Sequence, residues 1–432
     1  LIVESIAPNC GGYLFGNESN NISAVIKNIG NASASASNAS FVLNGYSEIV
    51  SVPALDAGNN TTVSITDTTG RYAGDTVVIT VTADCDGEVT ESNETNNVTT
   101  VDVTVVNNGY KGKTYTGGSN MTTWKSYDLH GNLIYSVGDS YYLSSSSYPD
   151  WTTYNASWNA SDLPVAGTVM EVRLYTTYTW DKDGVMPGNV SMSFNGVVQT
   201  PDAHHQDDRV FPDSKPYGML AYNVTDGFDT SGNIANLTNS HTGGNNVSMR
   251  GMLLVVVYEN ASEPQRLIYV NEEFDLLYGG SSKCTTPEEA TAWAPITGSI
   301  DTSTVTDATL ITVAPGAGPN EGELIFNEHI RNDVWSFAGA TQIGIDECDV
   351  KNNLTETDNL VGFRSSGDWM EASNAFLVVE LGAEPSAEPN LIVESIAPNC
   401  GGYLFGNESN NISAVIKNIG NASASASNAS FV

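Results

Sequence analysis

Between Thr76 and Ala83 the side chains alternate: Val77, Ile79, Val81 and Ala83 point one way, Thr76, Thr80 and Thr82 the other. A period of two marks a strand with one face in a core and one in water. The pattern returns where Val101, Val103 and Val105 interleave with Thr100, Asp102 and Thr104. Further short apolar runs lie at 1–7, 22–28, 40–43, 48–52 and 62–66, with turn residues between them and no helical period. Seven short strands in so few residues predict an Ig-like β-sandwich over residues 1–106.

Residues 110–381 continue in the same style. Strand-like runs fall at 133–137, 169–178, 190–194, 219–224, 252–258, 266–270, 309–313, 324–326, 342–345 and 376–381. The run 252–258 does not alternate, so it is read as buried on both faces. A larger, jelly-roll-like β-sandwich is expected here. One helical turn is expected around 286–293, with Pro287 near its start and Glu288 and Glu289 in its first turn. The stretch 382–390, with two prolines and two glutamates, reads as a semi-extended linker.

After that linker the chain starts again. Residues 391–432 repeat residues 1–42 without a change. So short a piece cannot bury a core alone. Two explanations compete: a tandem array of period 390, or a donated segment that completes a neighbouring subunit. The array is the expectation, because a donated copy would displace residues that the neighbour already owns.

Sixteen Lys plus Arg stand against 50 Asp plus Glu, for a formal net charge of −34. That balance excludes nucleic acid and anionic lipid as partners, since both need clustered cations. No apolar run reaches the length of a membrane span, and Leu1 already begins a strand pattern rather than a leader. Acceptor patterns for N-linked glycans, Asn-x-Ser/Thr, recur at Asn17, Asn21, Asn31, Asn38, Asn59, Asn60, Asn93, Asn97, Asn120, Asn155, Asn159, Asn189, Asn223, Asn236, Asn246, Asn260 and Asn353. They recur again at Asn407, Asn411, Asn421 and Asn428 in the repeated tail. This density predicts a glycosylated extracellular surface. Cys10, Cys85, Cys284 and Cys348 allow three pairings. The domain division favours Cys10 with Cys85 and Cys284 with Cys348, leaving Cys400 as the second copy of Cys10.

Asp84, Asp86 and Glu88 occupy alternate positions, the spacing that brings side chains to one face of a strand end, where their oxygens could hold Ca²⁺. Asp181 and Asp183 form a weaker pair of the same kind. His204 and His205 open a polar stretch, 204–208; neighbours on a strand point apart, which disfavours chelation, and a loop is expected. No Gly-x-Ser-x-Gly, His-Glu-x-x-His, phosphate-binding or dinucleotide-binding pattern occurs, so no catalytic residues are assigned and the chain is read as a non-enzyme. All seven tryptophans lie in the second unit, as core or as a sugar-binding platform.

The stretches Val25–Lys27–Asn28–Ile29–Gly30–Asn31, Ala83–Asp84 and Glu91–Ser92–Asn93–Glu94–Thr95–Asn96–Asn97 resemble the CARDB family of bacterial and archaeal surface proteins. The resemblance implies an Ig-like spacer or adhesion module without catalysis. The second unit, through FNGVV at 194–198, YGMLAYNVT at 217–225, MLLVVVYE at 252–259 and AFLVVEL at 375–381, resembles an uncharacterised family of methanogen surface proteins. Together these imply a structural, extracellular protein whose partners are copies of its own repeat joined head to tail. The alternative is an adhesin whose second domain binds carbohydrate.

Overall fold

The computed structural model describes residues 1–9, 11–109, 121–209, 214–241, 247–382, 389–398, 402–419 and 422–432. Among the described residues, the first domain has eight strands: β1 (Ile2–Pro8), β2 (Leu14–Phe15), β3 (Asn20–Lys27), β4 (Ser37–Leu43), β5 (Tyr46–Val52), β6 (Asn60–Asp67), β7 (Thr76–Ala83) and β8 (Val98–Val106). A sheet ordered β1-β3-β6 faces one ordered β2-β8-β7-β4-β5. The alternation read in β7 is the reason: Val77, Ile79, Val81 and Ala83 all lie in the core with Phe41, Ile22 and Ile26. Burying each of the Val, Ile and Phe side chains contributes about 1.5–3 kcal/mol.

The second domain continues with β9 (Thr122–Ser136), β10 (Thr153–Asn159), β11 (Thr168–Thr179), β12 (Val190–Phe194), β13 (Val197–Gln199), β14 (Ala203–Arg209), β15 (Lys215–Asn223), β16 (Gly232–Asn239) and β17 (Ser248–Glu259). Then come β18 (Gln265–Leu277), β19 (Thr291–Pro295), β20 (Val305–Pro315), β21 (Glu323–Phe326), β22 (His329–Asn332), β23 (Ser336–Phe337), β24 (Ile343–Asp349), β25 (Leu360–Arg364) and β26 (Met370–Leu381). Ten of these form one sheet, ordered β14-β15-β11-β17-β9-β18-β26-β20-β24-β23.

That sheet folds back on itself at β9, which pairs with β18 through residues 122–130 and with β17 through residues 131–136. The ring contact between Tyr175 in β11 and Phe376 in β26, 6.5 Å between centroids, proves the fold. Four strand steps separate them in the sheet, about 19 Å were it flat. The inner face carries one apolar cluster, with Leu253, Val255, Val257, Phe376 and Val378. The outer faces carry two more. Met252, Leu254 and Val256 pack under the sheet β10-β16-β12-β13, and Leu377 and Val379 under β19-β25-β21-β22. The expected single sandwich is thus a pair of sandwiches back to back, and 252–258 is buried on both faces for that reason.

The helical turn expected at 286–293 is a single turn. Thr286 and Glu289 cap one another, and Ala290 N–H bonds Thr286 O, but β19 begins at Thr291 and takes the chain into the sheet. The tail forms β27 (Leu391–Pro398) and β28 (Ile412–Asn418), paired in the register of β1 and β3 with the same bulge.

Candidate functional site

The first and second domains meet at a seam. β2 and β8 end side by side and parallel, Phe15 beside Val106. Asn20, fully buried, holds Phe15 there: its Oδ1 accepts from the Phe15 N–H at 2.6 Å, and its Nδ2 donates to the carbonyls of Phe15 and Glu18. Phe15 and Val106 join the inner cluster of the second domain, and Tyr13, Tyr278, Cys284 and Trp369 pack at its margin. Asn108, also fully buried, donates to Thr285 Oγ1 at 3.2 Å. Beside this latch, Asn9, Ser19 and Asn21 share a groove of about 570 Å³ with Gly279, Gly280 and Cys284.

The cysteines do not pair as expected. Cys85 and Cys348 are both free thiols, which rules out Cys10–Cys85 and Cys284–Cys348 together. Their sulfurs sit in different domains, and burial pushes both thiols up, Cys348 to about 11. Cys284 is disulfide-bonded. Cys10 and Cys400 lie outside the described residues.

The expected calcium set also changes. Asp84 takes a positive φ of 47°, and Gly87 N–H returns to the Asp84 carbonyl, so the strand parity that would align Asp84, Asp86 and Glu88 is lost. Asp86 instead accepts from Asn38, and Glu88 is exposed. Asp84 gathers Glu91 and Glu94, their oxygens within 4.8 Å of one another. Asp84 also accepts the N–H groups of Glu88 and Val89, closing the loop. Asn97 donates to Glu91, and its own Oδ1 has no hydrogen-bond partner. Asp181 is a turn-former: its carboxylate takes the N–H groups of Val185 and Met186.

Residues 204–208 form an edge strand rather than a loop, because β14 pairs with β15. His204 meets Tyr178 at 2.7 Å on one face and His205 meets Glu273 at 3.0 Å on the other. Burial alone would lower His205; hydrogen bonds to Glu272 and Glu273 outweigh it and raise it to about 9. Arg173 bonds Glu272 at 2.7 Å, and Arg250 bonds Glu371 at 2.8 Å. Sequence reasoning missed these two buried groups, one joining β11, β14 and β18 and the other joining β17 and β26. Each ties one folded half of the large sheet to the other.

A family profile described as a protein of unknown function, DUF3344, matches residues 114–380. The chain belongs to the DUF3344 family. A CARDB profile matches residues 1–101, so a CARDB domain precedes the DUF3344 domain. No curated protein matches. Among solved structures, the CARDB domain of a Pyrococcus furiosus protein, in complex with di-metal ions, is 23% identical, covering 24% of this chain and 93% of its own, with a TM-score of 0.21. A domain of a Methanosarcina acetivorans protein whose name places it at the cell surface is 29% identical, covering 24% and 90%, with a TM-score of 0.22. The glycosylasparaginase PNGase F of Flavobacterium meningosepticum is 9% identical, covering 60% and 97%, with a TM-score of 0.17; no activity passes from it to this chain.

In the CARDB domain, Asn97 is 6% exposed and committed to Glu91, so it is closed to a glycan. Asn38, Asn189, Asn236, Asn260 and Asn353 are half-buried, and the other described acceptors are exposed. Asn120, Asn246 and Asn421 lie outside the described residues. The Asn-x-Ser/Thr pattern also has a conformational use. Asn93, Asn159 and Asn260 accept from the backbone N–H and the hydroxyl two residues on. Asp229 and Asp301 do the same with no glycan chemistry available.

In the DUF3344 domain, Trp151, Trp158 and Trp335 are core. The faces of the more exposed rings are taken: Arg173 lies 4.0 Å from the centre of Trp124, and Lys215 lies 4.1 Å from that of Trp180. Trp293 lies against Gly362, where a Cβ would come within 2.6 Å of the ring.

Proposed function

We propose that this chain is a structural element of an extracellular surface array, in which a CARDB domain and a DUF3344 domain form one repeat and the linker 382–390 leads to the next. The observation that carries this reading is the tail. β27 and β28 reproduce β1 and β3, yet their apolar residues are in water. Leu404 is 62% exposed where Leu14 is fully buried, and Phe405 is 50% exposed where Phe15 is 3%. A surface that sequence identity makes core in one copy is core-forming in the other once the remaining strands join it. The strands that fit are those of residues 43–106, in cis or from a neighbour.

Surface exposure is supported by the CARDB domain, by the dense exposed acceptor asparagines and by the acidic charge, which keeps such beads apart. The role is mechanical and architectural, without catalysis. The experiment is a denaturing, reducing gel of the native polypeptide after chemical removal of glycans. A species well above the 45.8 kDa of this chain supports a covalent array. A species near that mass refutes the covalent array and leaves strand donation between copies.

One observation favours an adhesin as the second reading. A cavity of about 670 Å³ is lined by Tyr141, Tyr142, Tyr148 and Trp151, and Tyr148 is 62% exposed. Glycan-array binding lost on Tyr148→Ala supports that reading; an array with no hits removes it.

A further inference from the structure

We propose that Lys125 and Asn223 join in an isopeptide bond, an amide between their side chains that the folded chain makes for itself, with Glu171 moving the protons. The three residues come from β9, β11 and β15. Leu129, Tyr175 and Ala221, an even number of positions away on the same strands, belong to the inner cluster, so all three residues share the inner face of the folded sheet. Glu171 is 5% exposed, and its two oxygens take the two nitrogens separately. Lys125 Nζ donates to Oε2, and Asn223 Nδ2 donates to Oε1 at 2.6 Å. The Tyr127 hydroxyl also donates to Oε2, at 3.3 Å. The other end of the Asn223 amide is held as well. Its Oδ1 accepts the Thr225 N–H at 3.0 Å, and Thr225 Oγ1 accepts the Val172 N–H at 2.9 Å. Lys125 and Asn223 reach Glu171 from the rim, where the rings of Trp124 and Tyr127 stand 5.5 and 5.1 Å from Nζ.

An ion pair needs only the lysine and the carboxylate. Here one carboxylate gathers a primary amine and a primary amide, and a backbone N–H sits on the amide oxygen, where negative charge develops during acyl transfer. Proton transfer from Nζ to Glu171 frees a lone pair on Nζ. Nζ attacks Asn223 Cγ, and the Thr225 N–H holds the oxygen of the tetrahedral carbon. Glu171 passes protons from Nζ to Nδ2. The Cγ–Nζ bond forms, the Cγ–Nδ2 bond breaks, and the nitrogen leaves as ammonium. Glu171 ends as the carboxylate it began as, and the balance needs no oxidant and no co-reactant.

The same three residue types meet on the CARDB surface, where Lys27 and Asn60 both donate to Glu4, Asn60 at 3.3 Å. Glu4 is 37% exposed, so this set stays a solvated ion pair and serves as an internal control. Asn223 also carries the glycan acceptor pattern. A glycan would occupy the nitrogen that the bond expels, so the two modifications exclude one another. The bond ties β9, where it pairs with β18, to β15 in the other half of the folded sheet.

Intact mass and tryptic mapping of the whole reduced chain, made in a host without N-glycosylation, test the proposal. The expected mass lies about 17 Da below that of the sequence, one ammonia. The expected species is residues 114–173, uncut after Lys125, joined to residues 210–250, with Lys27 cut normally. Lys125→Arg, Glu171→Gln and Asn223→Ala are each expected to keep the full mass and to release 126–173 as a separate peptide. Full mass in the parent chain, with Lys125 cut, overturns the proposal. So does the same loss traced to a succinimide at an Asn-Gly pair such as Asn44–Gly45, or to a link between Lys27 and Asn60 in place of Lys125. A link that persists in Glu171→Gln overturns the role of Glu171. The parent chain alone decides the pairing, so a variant that fails to fold leaves the test standing.

Discussion

Phe15→Ala isolates the seam. The side chain is 3% exposed and belongs to the cluster that also holds Phe274, Leu276 and Val106. Truncating a buried Phe to Ala costs about 3–5 kcal/mol, the transfer of the ring plus the cavity it leaves. The backbone is untouched, because Asn20 grips the Phe15 N–H and carbonyl rather than its ring. The loss therefore falls on the contact between domains, since Phe15 belongs to the inner cluster of the second domain and Leu14 beside it to the CARDB core. For a domain of this size, 1 kcal/mol moves the melting temperature by about 4–8 °C, so a shift of more than 10 °C is expected in the first calorimetric transition. The decisive readout is hydrogen exchange at Lys283 and Cys284, whose N–H groups bond Gly280 and Ser281 on the far side of the seam. Phe15→Ala is expected to speed their exchange. Phe41→Ala, buried in the CARDB core alone, is expected to lower the melting temperature without that change. Equal exchange in both variants would refute the seam.

Burial raises Glu371 to about 7, only partly offset by Arg250. The folded state then keeps a proton that the unfolded state releases near 4.5, so this group's share of stability is whole below 4.5 and falls as pH rises to 7, by about 3 kcal/mol at most. Asp207 and Asp275, raised by burial, act in the same direction. Urea midpoints are expected to be higher at pH 5 than at pH 8, with Glu371→Gln flattening the difference. Gly138 has φ 56°, and a Cβ there would lie 2.1 Å from Ser157 O, so Gly138→Ala should cost at least about 1 kcal/mol in thermal melts. Removing 391–432 should abolish binding of an apolar dye and leave the CARDB transition unmoved, since the tail's apolar residues are exposed. Calcium should raise the CARDB transition through Asp84, Glu91 and Glu94, and Glu91→Gln with Glu94→Gln should remove the gain; no rise in the parent chain excludes the site.

By itself the sequence determined the strands, because period-two alternation is local and one register shift would expose every apolar side chain. Val77 to Ala83 and the doubly buried 252–258 were legible for that reason. The duplicate at 391–432 was legible as letters, and its register follows from identity. What only the tertiary structure decided was non-local. The sheet folds at β9 because that strand takes two partners more than 100 residues on, a choice no window of sequence contains. The acidic corner is Asp84, Glu91 and Glu94 because a left-handed turn at Asp84 broke the strand parity that spacing assumed. Asn-x-Ser/Thr carries two chemistries in one pattern, a glycan acceptor and a turn, and burial alone removes Asn97 from the first. Contacts that close across long loops carry no local signature, because their free energy arises only after folding has brought the partners together.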